Sequence, residues 1–229
     1  MGGTQHGTTR AAIALGHLIL LGILARYLAD LFHIDGLQWP SAGIGPWGDP
    51  YFINYVLEHW LHAARTLSDP GSPPMFYPAA GTLGYSHSLI LFAPLYIGAR
   101  TFLDPFPAET LTLVAVFGVG IVCLYALLRR FIGAGYGPSV ALSALVATSP
   151  NIVNTGTEIW AQRASCFLIP PILCLGAYAL RMRNRRGRIA LSALFGCALV
   201  SLVTQDVYTG LLFVVATLLI LEVSGLVLA

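Results

Sequence analysis

Ser88-Leu-Ile-Leu-Phe-Ala-Pro-Leu-Tyr-Ile-Gly-Ala-Arg-Thr-Phe-Leu103 is the stretch on which the reading of this chain turns. It is apolar enough to enter a bilayer. It falls short of the roughly 20 residues a spanning helix needs. Pro94 lies inside it, and Arg100 and Asp104-Pro105 close it. These features suit a segment that lies in the interface or re-enters, and every later residue changes side according to whether it crosses.

A bilayer enters because of composition. The 229 residues are 56% apolar and only 10% charged, with a mean hydropathy of +0.75. A soluble domain carries about 25% charged residues, so this chain lacks the polar surface to cover itself in water. Apolar stretches lie at 11–33, 88–103, 110–130, 137–150, 164–180, 189–203 and 208–228. All 12 basic residues are arginines, and five of them sit in Arg181-Met-Arg-Asn-Arg-Arg-Gly-Arg188. If 88–103 crosses, this cluster and Arg129-Arg130 both face outside, against the excess of Lys and Arg in cytoplasmic loops. If it does not, both become cytoplasmic together with Arg10, and about six crossings remain.

The expected fold is therefore all-α, a polytopic transmembrane bundle forming one membrane domain over 1–229. It has a first span at 11–33, an external loop with interfacial helices at 34–109, and further spans over 110–228. The N-terminus is cytoplasmic, and the expected location is the plasma membrane of a bacterium or archaeon. A cleaved signal peptide is the competing reading of the first run, but Arg26 and Asp30 interrupt the region where cleavage is sought. The arginine octet between two apolar runs reads as a cytoplasmic loop and not as a nucleic-acid site. Cys123, Cys166, Cys174 and Cys197 all lie in apolar runs without metal-site spacing and read as packing thiols.

On this topology Asp49, Glu158 and Asp206 reach one external face, the last two from loops over 151–163 and 204–206. Asp49-Pro50 is a helix start, with Asp as N-cap and Pro in the first helical position. The following segment sets Phe52, Tyr55, Val56, His59, Trp60 and Ala63 in one stripe, as in a surface helix with its rings toward lipid. Asp49 is thus either a cap or a carboxylate able to act as general base. His59 and His62 do not have the order of a His-Glu-x-x-His zinc site. A divalent metal stays open as a cofactor without a ligand set. Residues 69–81, rich in Pro and Gly, read as an ordered loop packed by Met75, Phe76 and Tyr77. No phosphate-cradling Gly loop, nucleophile elbow or Walker sequence is present, which argues against an ATPase.

The order Gly48-Asp49, Trp60-Leu61-His62-Ala63, Phe76-Tyr77-Pro78-Ala79-Ala80-Gly81, Tyr85-Ser86 and Pro94-Leu95-Tyr96 resembles the GT-C type glycosyltransferases. These include the dolichyl-phosphate-mannose protein mannosyltransferases and the lipid A aminoarabinose transferases. Tyr125 with Arg129-Arg130, Ser149-Pro150 and the arginine-rich loop after Pro170 extend the likeness. The resemblance implies inverting transfer of a sugar from a polyprenyl-phosphate carrier to an envelope glycan, lipid or protein acceptor. Asp49 matches the catalytic acid of the first external loop, and Glu158 a second acid in the next. A cation must face the leaving phosphate, and Arg163, Arg65 and Arg100 are the candidates. Tyr77, His87 and Gln162 would orient the sugar; His62 and Asp206 complete the candidate substrate-binding set. The sequence departs from the family in two ways. His87 stands where members often carry an acid. The chain also ends at Ala229 inside an apolar run, as an N-terminal portion would. The rival readings are a non-catalytic scaffold subunit and a transporter or flippase of lipid-linked sugars.

Overall fold

A computed structural model describes residues 4–34, 49–85, 87–149, 164–205 and 213, with the backbone alone at 4–12, 49–50 and 84–85. Among the described residues all regular structure is helical and there is no strand. The helices are α1 (Thr4–Leu31), α2 (Asp49–Thr66), α3 (Ala93–Ala99), α4 (Pro105–Ala126), α5 (Tyr136–Ala147), α6 (Ile169–Arg181) and α7 (Arg185–Gln205).

Their ends follow local chemistry. Asp104 holds extended backbone ahead of Pro105, a proline placed where no helical amide is needed, and α4 starts there. It runs on as a π-helical turn, Leu127–Ile132, and stops at Gly133, whose φ of 79° a glycine adopts without strain. Asn184 Oδ1 accepts from the Arg186 amide at 3.1 Å and so caps α7.

Three helical stretches are long and apolar enough to cross a membrane: Ile13–Leu31, Pro105–Ile132 and Arg185–Gln205. The stretches expected at 137–150 and 164–180 form shorter apolar helices, Tyr136–Ala147 and Ser165–Arg181. The run at 208–228 lies outside the described residues, Phe213 excepted. Two expected boundaries move. The helix expected from 110 begins at Pro105, so Glu109 belongs to it and not to the loop. Thr204 and Gln205, expected in a turn, end α7, with Gln205 wholly buried. The stretch 88–103 folds as α3, whose 7 residues cover about 10 Å.

Contacts along the helices show alternating directions. On α1, His17 meets Tyr125, Leu28 Cδ1 would stand 3.5 Å from a Cβ added at Gly118, and Phe32 packs edge-on against Phe117. The order on α4 falls as that on α1 rises, so the two are antiparallel. Tyr136 stacks near His17, and Tyr27 donates to the Ala147 carbonyl at 2.8 Å, so α5 runs with α1. Phe167 meets Phe117, Cys174 meets Cys123, and Tyr178 meets Phe131, so α6 runs with α4. Arg181 donates to the Arg130 carbonyl at 3.0 Å and lies over the Phe131 ring. At the other end Gln205 reaches Ser165, so α7 returns antiparallel to α6. One end therefore gathers Arg129, Arg130, Arg181 and the arginines of α7. The opposite end, the loop end, gathers α2, α3 and the 69–83 loop.

The core is concentrated at the loop end, around Phe32, Val56, Leu57, Phe92, Tyr96 and Phe117, all at 0% exposure. Away from it the helices turn apolar side chains outward: Ile13, Leu15, Leu18, Ile19, Leu21 and Ile23 are 49–66% exposed. So large a bare apolar surface fits hydrocarbon surroundings.

Candidate functional site

The loop end is where polar side chains converge, and α2 organises them. The stripe expected to face lipid instead faces the protein: Val56, His59 and Ala63 are buried, and Phe52, Tyr55 and Trp60 are half-buried. The cause is the irregular backbone beneath it, whose polar groups need partners that ring-bearing side chains can supply. Trp60 Nε1 donates to the Ser88 carbonyl at 2.6 Å, and His59 Nε2 to the Pro70 carbonyl at 3.1 Å. Tyr55 Oη accepts from the Met75 amide at 3.1 Å.

The loop closes on itself in the same way. Asp69 Oδ1 accepts from the Gly71 amide at 2.9 Å and Oδ2 from the Ser72 hydroxyl at 2.6 Å. Ser72 Oγ in turn accepts from the Gly81 amide at 2.9 Å. The Ser72 hydroxyl, followed by the Gly71 amide, holds the Asp69 carboxyl below its ordinary range. Tyr77, at the tip, is 88% exposed.

Beneath α2 lies a network that joins three helices. Glu58 Oε1 accepts from the Tyr96 hydroxyl and from Arg100 Nε, each at 2.5 Å. Arg100 Nη1 donates to the Leu103 carbonyl at 2.6 Å. Burial, then the bond to Glu58 and its charge, push the Tyr96 phenol far above its usual range. The bond to Glu58 raises Arg100, which stays a fixed cation. One helical turn back on the same face of α2, Asn54 Nδ2 donates to Glu109 Oε2 of α4 at 2.9 Å, with Glu109 only 4% exposed. A further join uses Gln205, whose Oε1 accepts from the Leu91 amide at 2.8 Å, while the Ser88 amide donates to the Thr204 carbonyl at 3.1 Å.

Against the candidates from sequence, Asp49 is the first residue of α2, with its side chain outside the described part. Glu158, Gln162, Arg163 and Asp206 lie outside the described residues. Arg65 and His62 are exposed on α2, and His87 is half-buried just ahead of the Ser88–Thr204 contact. His59 and His62 do not converge, since His59 is buried on Pro70. Among the described residues no group of three or more His, Cys, Asp or Glu side chains is placed to hold a metal ion. Arg100, expected opposite a leaving phosphate, is committed to Glu58 and Leu103. Its role here is to clamp α3 to α2.

Asn54, Tyr96, Glu109 and Gln205 were not singled out from sequence as site residues. The four-residue step from Asn54 to Glu58 was a legible signal for a polar face on α2. An acid within an apolar helix was a second, at Glu109. The chain matches no family model, no curated protein and no solved structure.

Proposed function

We propose that this chain is a multi-pass membrane glycosyltransferase of GT-C type. It moves a sugar from a polyprenyl-phosphate carrier to an envelope glycan, lipid or protein acceptor at the loop end. In this reading the arginine end is cytoplasmic and holds the N-terminus, the loop end is external, and the chain makes about six crossings. Asp49 takes the proton of the acceptor hydroxyl as that oxygen attacks the anomeric carbon, and the carrier phosphate leaves.

The observation that carries the reading is the gathering of helix ends. The start of α2 and the end of α7 lie at the loop end, as do the helix ends that flank 150–163. Asp49 begins α2, and Arg129, Arg130 and Arg181 lie at the opposite end. Glu158 and Asp206 enter the proposal from the sequence alone. The Glu58–Tyr96–Arg100 network supports Asp49 indirectly by fixing α2 against α3.

The test is glycan and glycolipid mass spectrometry of a deletion strain carrying the native gene or its Asp49→Asn form. A hexose- or pentose-sized mass is expected to vanish on deletion and to return only with the native form. Loss of a general base lowers the rate by roughly 10²–10⁴-fold. Full restoration by Asp49→Asn would remove Asp49 from the chemistry. A second reading, a non-catalytic membrane subunit, draws on one observation: the charged groups described beneath α2 are satisfied by one another.

A further inference from the structure

The arginine end of the bundle holds charge without counter-charge. Arg129 and Arg130 lie in the π turn that ends α4, Arg181 closes α6, and four more arginines follow over 183–188 into α7. Every one of them is exposed. The acidic side chains described, Asp30, Glu58, Asp69, Asp104 and Glu109, all belong to the loop end. Among the described residues the ion pairs are Arg26–Asp30 and Arg100–Glu58, and neither involves this cluster. Cations gathered on one surface without acids set up a positive field that an anion from outside the chain relieves.

The chain holds part of the cluster in place. Arg181 Nη1 donates to the Arg130 carbonyl at 3.0 Å, and its guanidinium stands 4.5 Å from the centroid of the Phe131 ring. Arg130 lies over Tyr178 at 5.8 Å, and Arg129 Nη1 donates to the Ala134 carbonyl at 2.9 Å. These contacts use carbonyls and ring faces and leave the charges themselves unneutralised. A guanidinium carries five N–H donors, so Arg129 and Arg181 keep others to offer a phosphate.

Depth selects the anion. Arg129 lies 24 residues beyond Pro105, where α4 starts, about 36 Å along the helix. That is longer than the roughly 30 Å hydrocarbon core and shorter than the roughly 40–45 Å that includes both headgroup layers. A helix that enters hydrocarbon near Pro105 therefore sets Arg129 and Arg130 among the headgroups on the far side. The neighbours fit that level. Leu180 and Ile189, which flank the octet, are 86% and 58% exposed, as suits hydrocarbon directly beneath the cations. Tyr136 and Tyr178 add exposed rings at this end, the residue type enriched where bilayer meets water. A phosphate at that depth is a lipid's.

We propose that the arginine end binds the headgroups of acidic glycerophospholipids in its own leaflet, with Arg129, Arg130, Arg181 and the arginines over 183–188 as the phosphate contacts. The inference rests on α4 crossing a bilayer. It does not depend on the glycosyltransferase chemistry.

The purified full chain, delipidated in neutral detergent, is titrated with phosphatidylglycerol and with phosphatidylcholine of the same acyl chains, and bound lipid is counted by native mass spectrometry. At low salt the expected result is a preference of about tenfold or more for phosphatidylglycerol, falling as salt is raised because the contacts are exposed. The side chains of Arg183, Arg185 and Arg186 make no hydrogen bond or ion pair among the described residues. Changing all three to Gln should lower the preference at least about fivefold, the worth of one arginine beside an acidic leaflet. Changing the same three to Lys should keep it; thermal melting checks that each variant is folded. Equal retention of the two lipids by the native protein overturns the proposal, as does a preference unchanged in the Gln variant. Displacement of phosphatidylglycerol by an equal concentration of inorganic phosphate or of oligouridylate assigns the cluster to a soluble anion and overturns it too. Alkaline carbonate extraction separates the two levels of failure. A protein washed from membranes overturns the spanning reading and this inference with it. One that stays in the membrane without the preference overturns this inference alone.

Discussion

At the scale of single residues, Arg100 is the sharpest case. Its fork spans two acceptors, Glu58 Oε1 and the Leu103 carbonyl, and so it holds α2 and the end of α3 in one geometry. An ammonium cannot reproduce that spread. Arg100→Leu is expected to destabilise by about 1.5–3 kcal/mol, the worth of a bond to a charged group. Arg100→Lys should recover only part of this, and Tyr96→Phe should cost about 1 kcal/mol; detergent melting curves rank the three. A fully stable Arg100→Leu would mean that the clamp contributes nothing. Asp69 offers a pH test. Its pKa is depressed below 3.8 by bonds made only when the loop is folded, so their stabilisation is complete above the unfolded value and is lost as pH falls through the folded one. The Gly71 amide chemical shift should therefore move toward its unfolded position only below about pH 4. In Asp69→Asn, which keeps an acceptor oxygen, that low-pH movement should be absent.

At the scale of elements, the contact between α4 and the turn leading into α6 depends on one missing side chain. A Cβ on Gly120 would stand 2.4 Å from the Phe167 carbonyl oxygen and 2.5 Å from its Cβ. Neither atom can move without its backbone. Gly120→Ala is expected to cost about 1–3 kcal/mol by forcing the two elements apart. Gly22→Ala on α1 meets nothing within 4 Å and should be neutral or stabilising by up to about 1 kcal/mol. A rise in melting temperature for Gly120→Ala as large as that for Gly22→Ala would show that helix propensity, not contact, sets the effect. Small residues allow such close approach between helices generally.

At the scale of the whole molecule, alternating helix directions separate the 69–83 loop from the arginine end by the length of α4 and its π turn. Those 28 residues cover about 42 Å, the thickness of a bilayer with its headgroups. With the four free cysteines replaced, Tyr77→Cys and Gly187→Cys should react with a membrane-impermeant thiol reagent from opposite faces of sealed vesicles. Labelling of both from one face would overturn the separation.

Composition and the length of the apolar runs were enough to predict a helical chain suited to a membrane, because burial in hydrocarbon is a requirement on residue type that needs no partner. Two apolar runs separate Arg129-Arg130 from Arg181, which puts both on one side whether or not 88–103 crosses, and Arg130 and Arg181 do meet at one end. Pairing was beyond the sequence. The stripe on α2 has a helical period that reads equally as lipid-facing or protein-facing. Only the unsatisfied carbonyls of Ser88 and Pro70 and the Met75 amide, brought beneath it by the fold, decide that it faces inward. In the same way Arg100 read as one of three candidate cations for a phosphate, and only the tertiary structure shows Glu58 bonded to it. A charge carries no record of its partner when 42 residues separate the two.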